Sequence, residues 1–268
     1  MTPPADPGLK ALNALLKRLS EGPGAVTPHA VPIPDPALID PAEPLLGEFL
    51  RSMLIWEATV ADAEAALKRI ARNVVDFNEL RVCLPDEIVA MLGAGYPRVQ
   101  ERAQRLRAAL NELFLREHAV TLQPIADLSK RDAKAYLDSL EGVPPFVSAR
   151  VCLLCLGVHA APVDDRILRR LVEAGVVPED ADAEAAAAAL ERKVRAGEMA
   201  RVYPLLQAWA DALPAGAPAA AAPQPVTTDG AGTKPKTVSR RTTAPADGAR
   251  RAAKPAARQS RTRKGNKQ

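Results

Sequence analysis

The sequence predicts an all-α fold, and three observations indicate it. Residues of hydrophobic type make up 47% of the chain but aromatic residues only 3%, so the core has to be built mainly from Leu, Val, Ile and Ala. From Leu45 onward the apolar residues recur at helical spacing. No stretch of useful length alternates Val, Ile or Thr with polar residues, so no sheet is predicted.

The helical pattern and its boundary signals place the elements in order. Thr59 and Ser129 are predicted N-caps, because a carboxylate (Asp62, Asp132) follows each of them three residues later. Pro85 fits a first helical turn. The predicted helices cover about 9–19, 45–55, 59–73, 85–92, 97–117, 129–140, 145–157, 164–174, 182–196 and 199–211.

Composition divides the chain into three parts. Residues 1–44 combine a short amphipathic helix with a Pro-rich stretch over 22–44, whose prolines forbid a continuous helix. Residues 45–211 form the predicted helical domain. Residues 212–268 are rich in Ala, Pro, Lys and Arg with almost no large apolar residue, so a disordered basic tail is predicted there.

The charge is distributed unevenly between these parts. Of 36 Lys/Arg and 32 Asp/Glu residues, the tail 212–268 holds 12 and 2, a net charge of +10, which leaves 24 and 30, a net of −6, for the rest. A tail of this kind binds nucleic acid by releasing counterions, without sequence preference. A solubilising linker, or contact with any polyanion, is the alternative. The tail residues predicted to contact DNA are Lys234, Lys236, Arg240, Arg241, Arg250 and Arg251.

Several classes of protein are not indicated. No apolar run approaches 18 residues without a charge, so no membrane association is predicted, and the N-terminus lacks the pattern of a secretory signal. Three cysteines in a chain of this length favour a reducing compartment, the cytoplasm. Cys152 and Cys155 are interpreted as buried small side chains, because no further cysteine follows to complete a metal or iron–sulfur site. No cofactor and no metal are predicted.

One motif, formed by residues at a fixed spacing, indicates a chemical function. A hairpin between two helices, about 136–157, contains Leu140, Gly142 and Val143, and a Val-Asp pair (Val163, Asp164) opens the next helix, with Asp164 22 residues after Gly142. This combination resembles the helix-hairpin-helix DNA glycosylase superfamily, of which endonuclease III is a branch. The resemblance covers roughly residues 40–211. It implies two helical lobes, one from about Thr59 to Leu171 and one joining the N-terminal helix to those after Pro178, with DNA across the cleft between them.

The resemblance assigns the catalytic role to Asp164. Cleavage of an N-glycosidic bond builds positive charge on the sugar, which a nearby carboxylate stabilises while it orients the attacking water. An ordinary N-cap is the alternative for an Asp before an Ile-Leu-Arg-Arg-Leu helix, although Asp165 could take that place instead.

The motif also departs from the family. Phe146 stands where the bifunctional branch has a lysine that attacks the sugar, so any activity is predicted to be monofunctional, with water as the nucleophile and no strand cleavage. Pro144 and Pro145 remove two backbone donors from the hairpin's phosphate site. The groups predicted to contact phosphates are the backbone amides of Gly142, Val143, Phe146 and Val147 and the side chains of Arg150 and Arg166; for each arginine a solvated helix face is the alternative.

A second departure concerns the predicted base pocket at Trp56, Glu57 and Thr59. Family members carry glutamine in this stretch to fill the gap left by a flipped-out base. Here only Thr59 matches, and the acidic Glu57 would be repelled by phosphate. Trp56 either wedges into the base stack or lies in the core.

The sequence therefore predicts a DNA-repair protein of the base-excision type, a monofunctional glycosylase acting on double-stranded DNA through Asp164. A non-catalytic DNA-binding protein built on a glycosylase scaffold is the main alternative, and a helical interaction protein with a solubilising tail is the third. Whether the chain is an enzyme stays open. A nucleoid-associated, cytoplasmic monomer is expected.

Overall fold

The structure, a computed structural model, describes residues 6–21, 24–27 and 43–212. The chain divides into two compact units, 1–222 and 223–268, and no residue of the second unit is described. Most of the Pro-rich segment and the predicted disordered tail, with all six of its proposed DNA contacts, lie outside the described residues.

The described part of the chain contains eleven α-helices and no strand, which confirms the predicted all-α class. A short 3₁₀ turn, Gln123–Asp127, lies between the sixth and seventh helices. The α-helices are α1 (Pro7–Glu21), α2 (Pro44–Ile55), α3 (Val60–Asn73), α4 (Phe77–Val82), α5 (Pro85–Leu92), α6 (Val99–Glu117), α7 (Lys130–Asp138), α8 (Pro145–Cys155), α9 (Asp165–Glu173), α10 (Ala183–Lys193) and α11 (Met199–Asp211).

Local capping chemistry sets the helix starts as predicted. The Thr59 hydroxyl accepts the backbone N–H of Asp62 at 3.0 Å, and Ser129 accepts that of Asp132 at 3.2 Å. Helix α4 was not predicted, because six residues are too few to show a helical period. Its N-cap is Asp76, which accepts the Glu79 N–H at 2.8 Å.

Helix α2 is the centre of the fold. Each residue from Leu45 to Ile55 is buried, and α2 packs against α3, α6 and α8. Such a helix has no solvated face, so its sequence is apolar almost all the way round. At the chain ends, α1 packs against α11, as expected for the predicted lobe that joins them.

The charged residues of α2 are neutralised inside the core. Glu48, 5% exposed, pairs with Arg150 of α8, and Arg150 also donates to Ser52 at 2.9 Å and to the Tyr203 hydroxyl at 2.8 Å. A buried ion pair survives only when further hydrogen bonds satisfy both partners, and here they do. The network fixes α8, which carries the hairpin, against α2 and α11.

In the part of the chain that is described, no helix has the length and apolarity to cross a bilayer.

Candidate active-site cleft

A cleft of about 650 Å³ opens where the α7–α8 hairpin, the start of α9 and one side of α10 meet. Trp56 and Glu57, from the α2–α3 loop, line it together with Arg98 from the turn before α6. The hairpin contributes Val143, Pro144, Pro145 and Phe146, and α10 contributes small alanines, among them Ala187 and Ala188. Of the predicted site residues in and after the hairpin, Val143, Phe146 and Asp164 line the cleft, whereas Gly142, Val147 and Arg150 do not.

The hairpin turn depends on one glycine. Gly142 has φ +78°, a left-handed backbone conformation that side chains rarely adopt. A Cβ at this position would lie 2.7 Å from the carbonyl oxygen of Arg105 in α6, so the close approach excludes any larger residue. The backbone amides of Val143 and Val147 donate to the carbonyls of Leu140 (3.3 Å) and Pro144 (2.9 Å). Both amides were predicted phosphate donors; both are already used inside the turn.

Asp164 is the N-cap of α9 and lies at the cleft wall, only 2% exposed. Its Oδ1 accepts the Ile167 N–H at 2.9 Å, and its Oδ2 accepts the Glu57 N–H at 3.0 Å. Burial raises the pKa of Asp164. The two hydrogen bonds and the nearby Arg166 act in the opposite direction, because they favour the ionised form, but burial is the larger effect. The capping alternative weighed from the sequence is thus what the structure shows, with both carboxylate oxygens engaged.

Glu57 lies beside Asp164, and its own carboxylate also binds the start of α9. The Glu57 Oε1 accepts the backbone N–H of Asp165 at 2.9 Å, so two carboxylates meet at the N-terminus of one helix. Burial and then the charge of Asp164 raise the pKa of Glu57 to about 7. The raised pKa follows because a second negative charge so close to Asp164 disfavours ionisation of Glu57.

The loop that carries Glu57 is held from several sides. Arg102 of α6, fully buried, donates to the carbonyls of Met53 and Trp56, and burial lowers its pKa to about 10. Arg166 donates to the carbonyl of Ala58 and pairs with Asp211 at 3.0 Å. The loop conformation is therefore fixed by guanidinium groups of α6 and α9.

Trp56 packs at the base of the cleft rather than projecting from it. It is 7% exposed, and its ring centroid lies 5.2, 5.5 and 5.3 Å from the guanidinium carbons of Arg98, Arg102 and Arg105. Cation–π contacts of this kind hold the ring in place. The sequence interpretation did not identify these arginines, although Arg102 and Arg105, three residues apart, lie on one face of α6 and Arg98 directly precedes the helix.

Two predicted phosphate contacts have to be corrected. Arg150 is 4% exposed and satisfied by Glu48, Ser52 and Tyr203, so its guanidinium cannot reach a phosphate outside the protein. Arg166 binds the α2–α3 loop and Asp211 in the same manner. Both arginines were mistaken for exposed groups because their acidic partners are far away in sequence.

The remaining predicted site residues divide between the cleft and the core. Phe146 lines the cleft but is 2% exposed and meets Tyr203 edge to face, with ring centroids 6.5 Å apart. Val147 is fully buried. Thr59 caps α3 and is not among the residues that line the cleft. Of the predicted base pocket, the structure therefore brings only Trp56 and Glu57 to the cleft.

The charge of the cleft is predominantly acidic. Two cations, Arg98 and Lys134, line it, and each is ion-paired, Arg98 with Asp165 at 3.1 Å and Lys134 with Asp138 at 2.6 Å. The carboxylates along its walls are Glu57, Asp138, Asp164, Asp165, Asp182, Glu184 and Glu191. Such a lining favours positive charge inside the cleft and excludes phosphate groups. Among the described residues, no group of His, Cys, Asp or Glu is arranged to hold a metal ion.

Comparison with known proteins bears on the fold. No protein-family model matches the sequence, and no curated protein matches it. Solved structures do match. One of them is a trapped endonuclease III–DNA covalent intermediate, the estranged-adenine complex, with a TM-score of 0.54 and 14% sequence identity over 74% of this chain and 82% of that chain. The chain thus has an endonuclease III-like helical fold, the class that the hairpin and Asp164 spacing indicated.

Proposed function

We propose that this chain binds double-stranded DNA and hydrolyses the N-glycosidic bond of a damaged or mispaired nucleotide. The observation that carries the proposal is the cleft of about 650 Å³ at the junction of the hairpin and α9, with two facing carboxylates in its wall. Sites for small ligands measure roughly 300–1,000 Å³, so the cleft has room for a flipped-out base and its sugar. The likeness to an endonuclease III–DNA complex supports the same class of function.

The acidic lining suits the reaction. As the bond between sugar and base breaks, positive charge develops on the sugar, and carboxylates in a water-poor wall stabilise it. Phosphates, by contrast, have to remain outside the cleft. The part of the chain before residue 212 carries a net charge of −6, so we assign most of the phosphate affinity to the basic tail and its residues Lys234, Lys236, Arg240, Arg241, Arg250 and Arg251.

The reaction is monofunctional. Phe146 offers no amine to the sugar, and its ring packs against Tyr203, so no Schiff base forms at this position. The product is an intact strand with an abasic site. Alkali then breaks that strand, which gives a direct assay.

A second candidate function is non-catalytic DNA binding on a glycosylase scaffold. One observation favours it: both oxygens of Asp164 accept backbone N–H groups, and the side chain is 2% exposed. A carboxylate engaged in this way serves the helix N-terminus and has little capacity left for a water or a sugar.

Single-turnover base release separates the two. Duplexes carrying uracil, oxidised pyrimidines, alkylated purines or mismatches are incubated with excess protein and analysed with and without alkali. Alkali-dependent breaks in one duplex, weakened in Asp164→Asn, support hydrolysis and identify the base. Retained duplex binding without breaks in any duplex supports the non-catalytic alternative, and breaks that form without alkali would contradict a monofunctional reaction.

A further inference from the structure

Glu57 is one of three non-glycine residues in the described chain with positive φ, at +57°. A left-handed backbone is unfavourable for a residue with a side chain, and it persists only where surrounding contacts impose it. Around Glu57 those contacts are the Arg102 bonds to Trp56, the Arg166 bond to Ala58 and the Asp164 bond to its own N–H. Strain of this kind marks a position where the direction of a side chain matters.

The two facing carboxylates differ in what they can still do. Asp164 is 2% exposed and uses both oxygens to accept backbone N–H groups. Glu57 is only partly buried and lines the cleft, and its Oε1 accepts the backbone N–H of Asp165. Of the pair, Glu57 is the residue that reaches the contents of the cleft.

We propose that Glu57 is the catalytic acid and base of the cleft, and that Asp164 is a positioning residue that holds Glu57 in place. The inference rests on the proposed N-glycosidic hydrolysis and deepens it. It assigns the main catalytic role not to Asp164, where the resemblance put it, but to a neighbour 107 positions earlier in the chain.

In this reaction Glu57 carries out both proton transfers. Protonated Glu57 gives its proton to the departing base as the electron pair of the bond between C1′ and the base nitrogen moves onto that nitrogen. Water adds to C1′, and the proton that it loses returns to the Glu57 carboxylate. One water is consumed, the base leaves carrying a hydrogen, the sugar gains a hydroxyl, and Glu57 ends as it began.

The charges around Glu57 support this role. From α9, Asp164 and Asp165 face it, and from the α6 side, Arg98 and Arg102. Burial is the largest cause and the charge of Asp164 the second, and together they raise the Glu57 pKa to about 7. A group with this pKa is about half protonated at neutral pH, the condition under which one side chain serves both as acid and as base.

Two variants of the full-length protein test the assignment. Glu57→Gln keeps the shape and an oxygen that can accept the Asp165 N–H but carries no exchangeable acid proton, so base release should fall about 10²–10⁴-fold with duplex binding unchanged. Asp164→Asn removes the like charge beside Glu57. It should lower the Glu57 pKa and shift the pH profile of base release to lower pH, in addition to reducing the rate.

A second measurement does not depend on turnover. In protein labelled with ¹³C at the glutamate side-chain carboxyl, the Glu57 resonance is assigned by its loss in Glu57→Gln and followed from pH 4 to pH 9. A midpoint near 7 that falls in Asp164→Asn supports the proposal. A midpoint in the ordinary glutamate range overturns it, even if the variants are less active.

Failure of this inference and failure of the proposed function give different results. Wild-type base release that Glu57→Gln retains in full overturns the role of Glu57 and leaves hydrolysis standing. Absence of base release by the wild type from every duplex overturns hydrolysis and, with it, the catalytic role of Glu57. Circular dichroism and duplex binding of each variant ensure that loss of activity is not loss of fold.

Discussion

The Asp164 carboxylate accepts the backbone N–H of Glu57 at 3.0 Å, across 107 positions of sequence. Since the other oxygen of Asp164 caps α9 through Ile167, a single side chain ties the α2–α3 loop to the start of α9. The same junction forms the wall of the cleft. Stability and site geometry are therefore coupled at Asp164.

Replacement of Asp164 by Ala should be more costly than loss of an ordinary cap. The N-cap bond contributes about 1 kcal/mol, and the unsatisfied, buried Glu57 N–H adds about 1–3 kcal/mol. The free energy of unfolding, measured with urea, should therefore fall by about 2–4 kcal/mol. Asp76→Ala, at the exposed N-cap of α4, is the matched control and should cost about 1 kcal/mol. Equal losses in the two variants would show that the bond to Glu57 contributes nothing.

The raised pKa of Glu57 predicts how the stability of the protein changes with pH. Because the folded value, about 7, lies above the unfolded value of about 4.5, the protein is stabilised most below pH 4.5 and loses that part of its stability as the pH rises through 7. Glu57→Gln removes the ionisation. The free energy of unfolding of the variant minus that of wild type should therefore be about 1–3 kcal/mol larger at pH 8 than at pH 4.5.

Thermal unfolding of both proteins at the two pH values gives the comparison, checked by urea unfolding at 25 °C. The difference between variant and wild type has to grow between pH 4.5 and pH 8. A constant difference would mean that Glu57 ionises as freely in the folded protein as in the unfolded chain.

The hairpin glycine provides a test of the close approach between α6 and the turn. Gly142→Ala combines a left-handed φ of +78° with a Cβ that would lie 2.7 Å from the Arg105 carbonyl oxygen. The backbone effect alone costs about 1–2 kcal/mol, and the clash adds to it. Gly175→Ala is the control, since its φ is +67° and nothing lies within 4 Å of the added carbon. In urea unfolding, Gly142→Ala should lower the free energy of unfolding by at least about 1 kcal/mol more than Gly175→Ala does. Similar losses in the two variants would show that the packing of this turn does not require glycine.

The basic tail should dominate the salt dependence of DNA binding. Truncation after residue 233 removes 12 Lys/Arg residues and leaves a chain with a net negative charge. Each phosphate contact contributes a slope of about −0.9 to a plot of log affinity against log salt, so the slope should approach zero. An internal deletion of 213–233, which contains one charged residue, Asp229, is the control and should keep the slope. Fluorescence anisotropy with an undamaged duplex measures both. An unchanged slope after the truncation would place the phosphate contacts in the helical unit.

Most of the fold follows from local sequence chemistry. Helical periodicity predicted ten of the eleven α-helices, and the caps at Thr59 and Ser129 lie where the spacing to a carboxylate placed them. Helix ends were less accurate: the predicted helix 182–196 is Ala183–Lys193, because the backbone becomes extended at Val194. The α4 helix was missed because a single turn and a half is stabilised by its packing against α6 more than by its own pattern.

The site was predictable only as far as short-range signals reach. The spacing between Gly142 and Asp164 predicted that the hairpin and the start of α9 belong to one site, and Val143, Phe146 and Asp164 do line the same cleft. The state of each charged group depends on partners distant in sequence. Arg150 looks like a solvated helix residue until Glu48, 102 positions away, is seen beside it, and Glu57 acquires its raised pKa only from Asp164 and from burial.

The most direct test of the central claim is whether the cleft is where base release occurs. Ala188 lines the cleft on α10, and Ala185 of the same helix is exposed and not among the lining residues. Single-turnover base release from the responsive duplex is measured for wild type, Ala188→Trp and Ala185→Trp. We expect tryptophan at 188 to abolish base release while duplex binding is retained, and tryptophan at 185 to have no effect. Full activity of Ala188→Trp would show that base release takes place elsewhere on the protein.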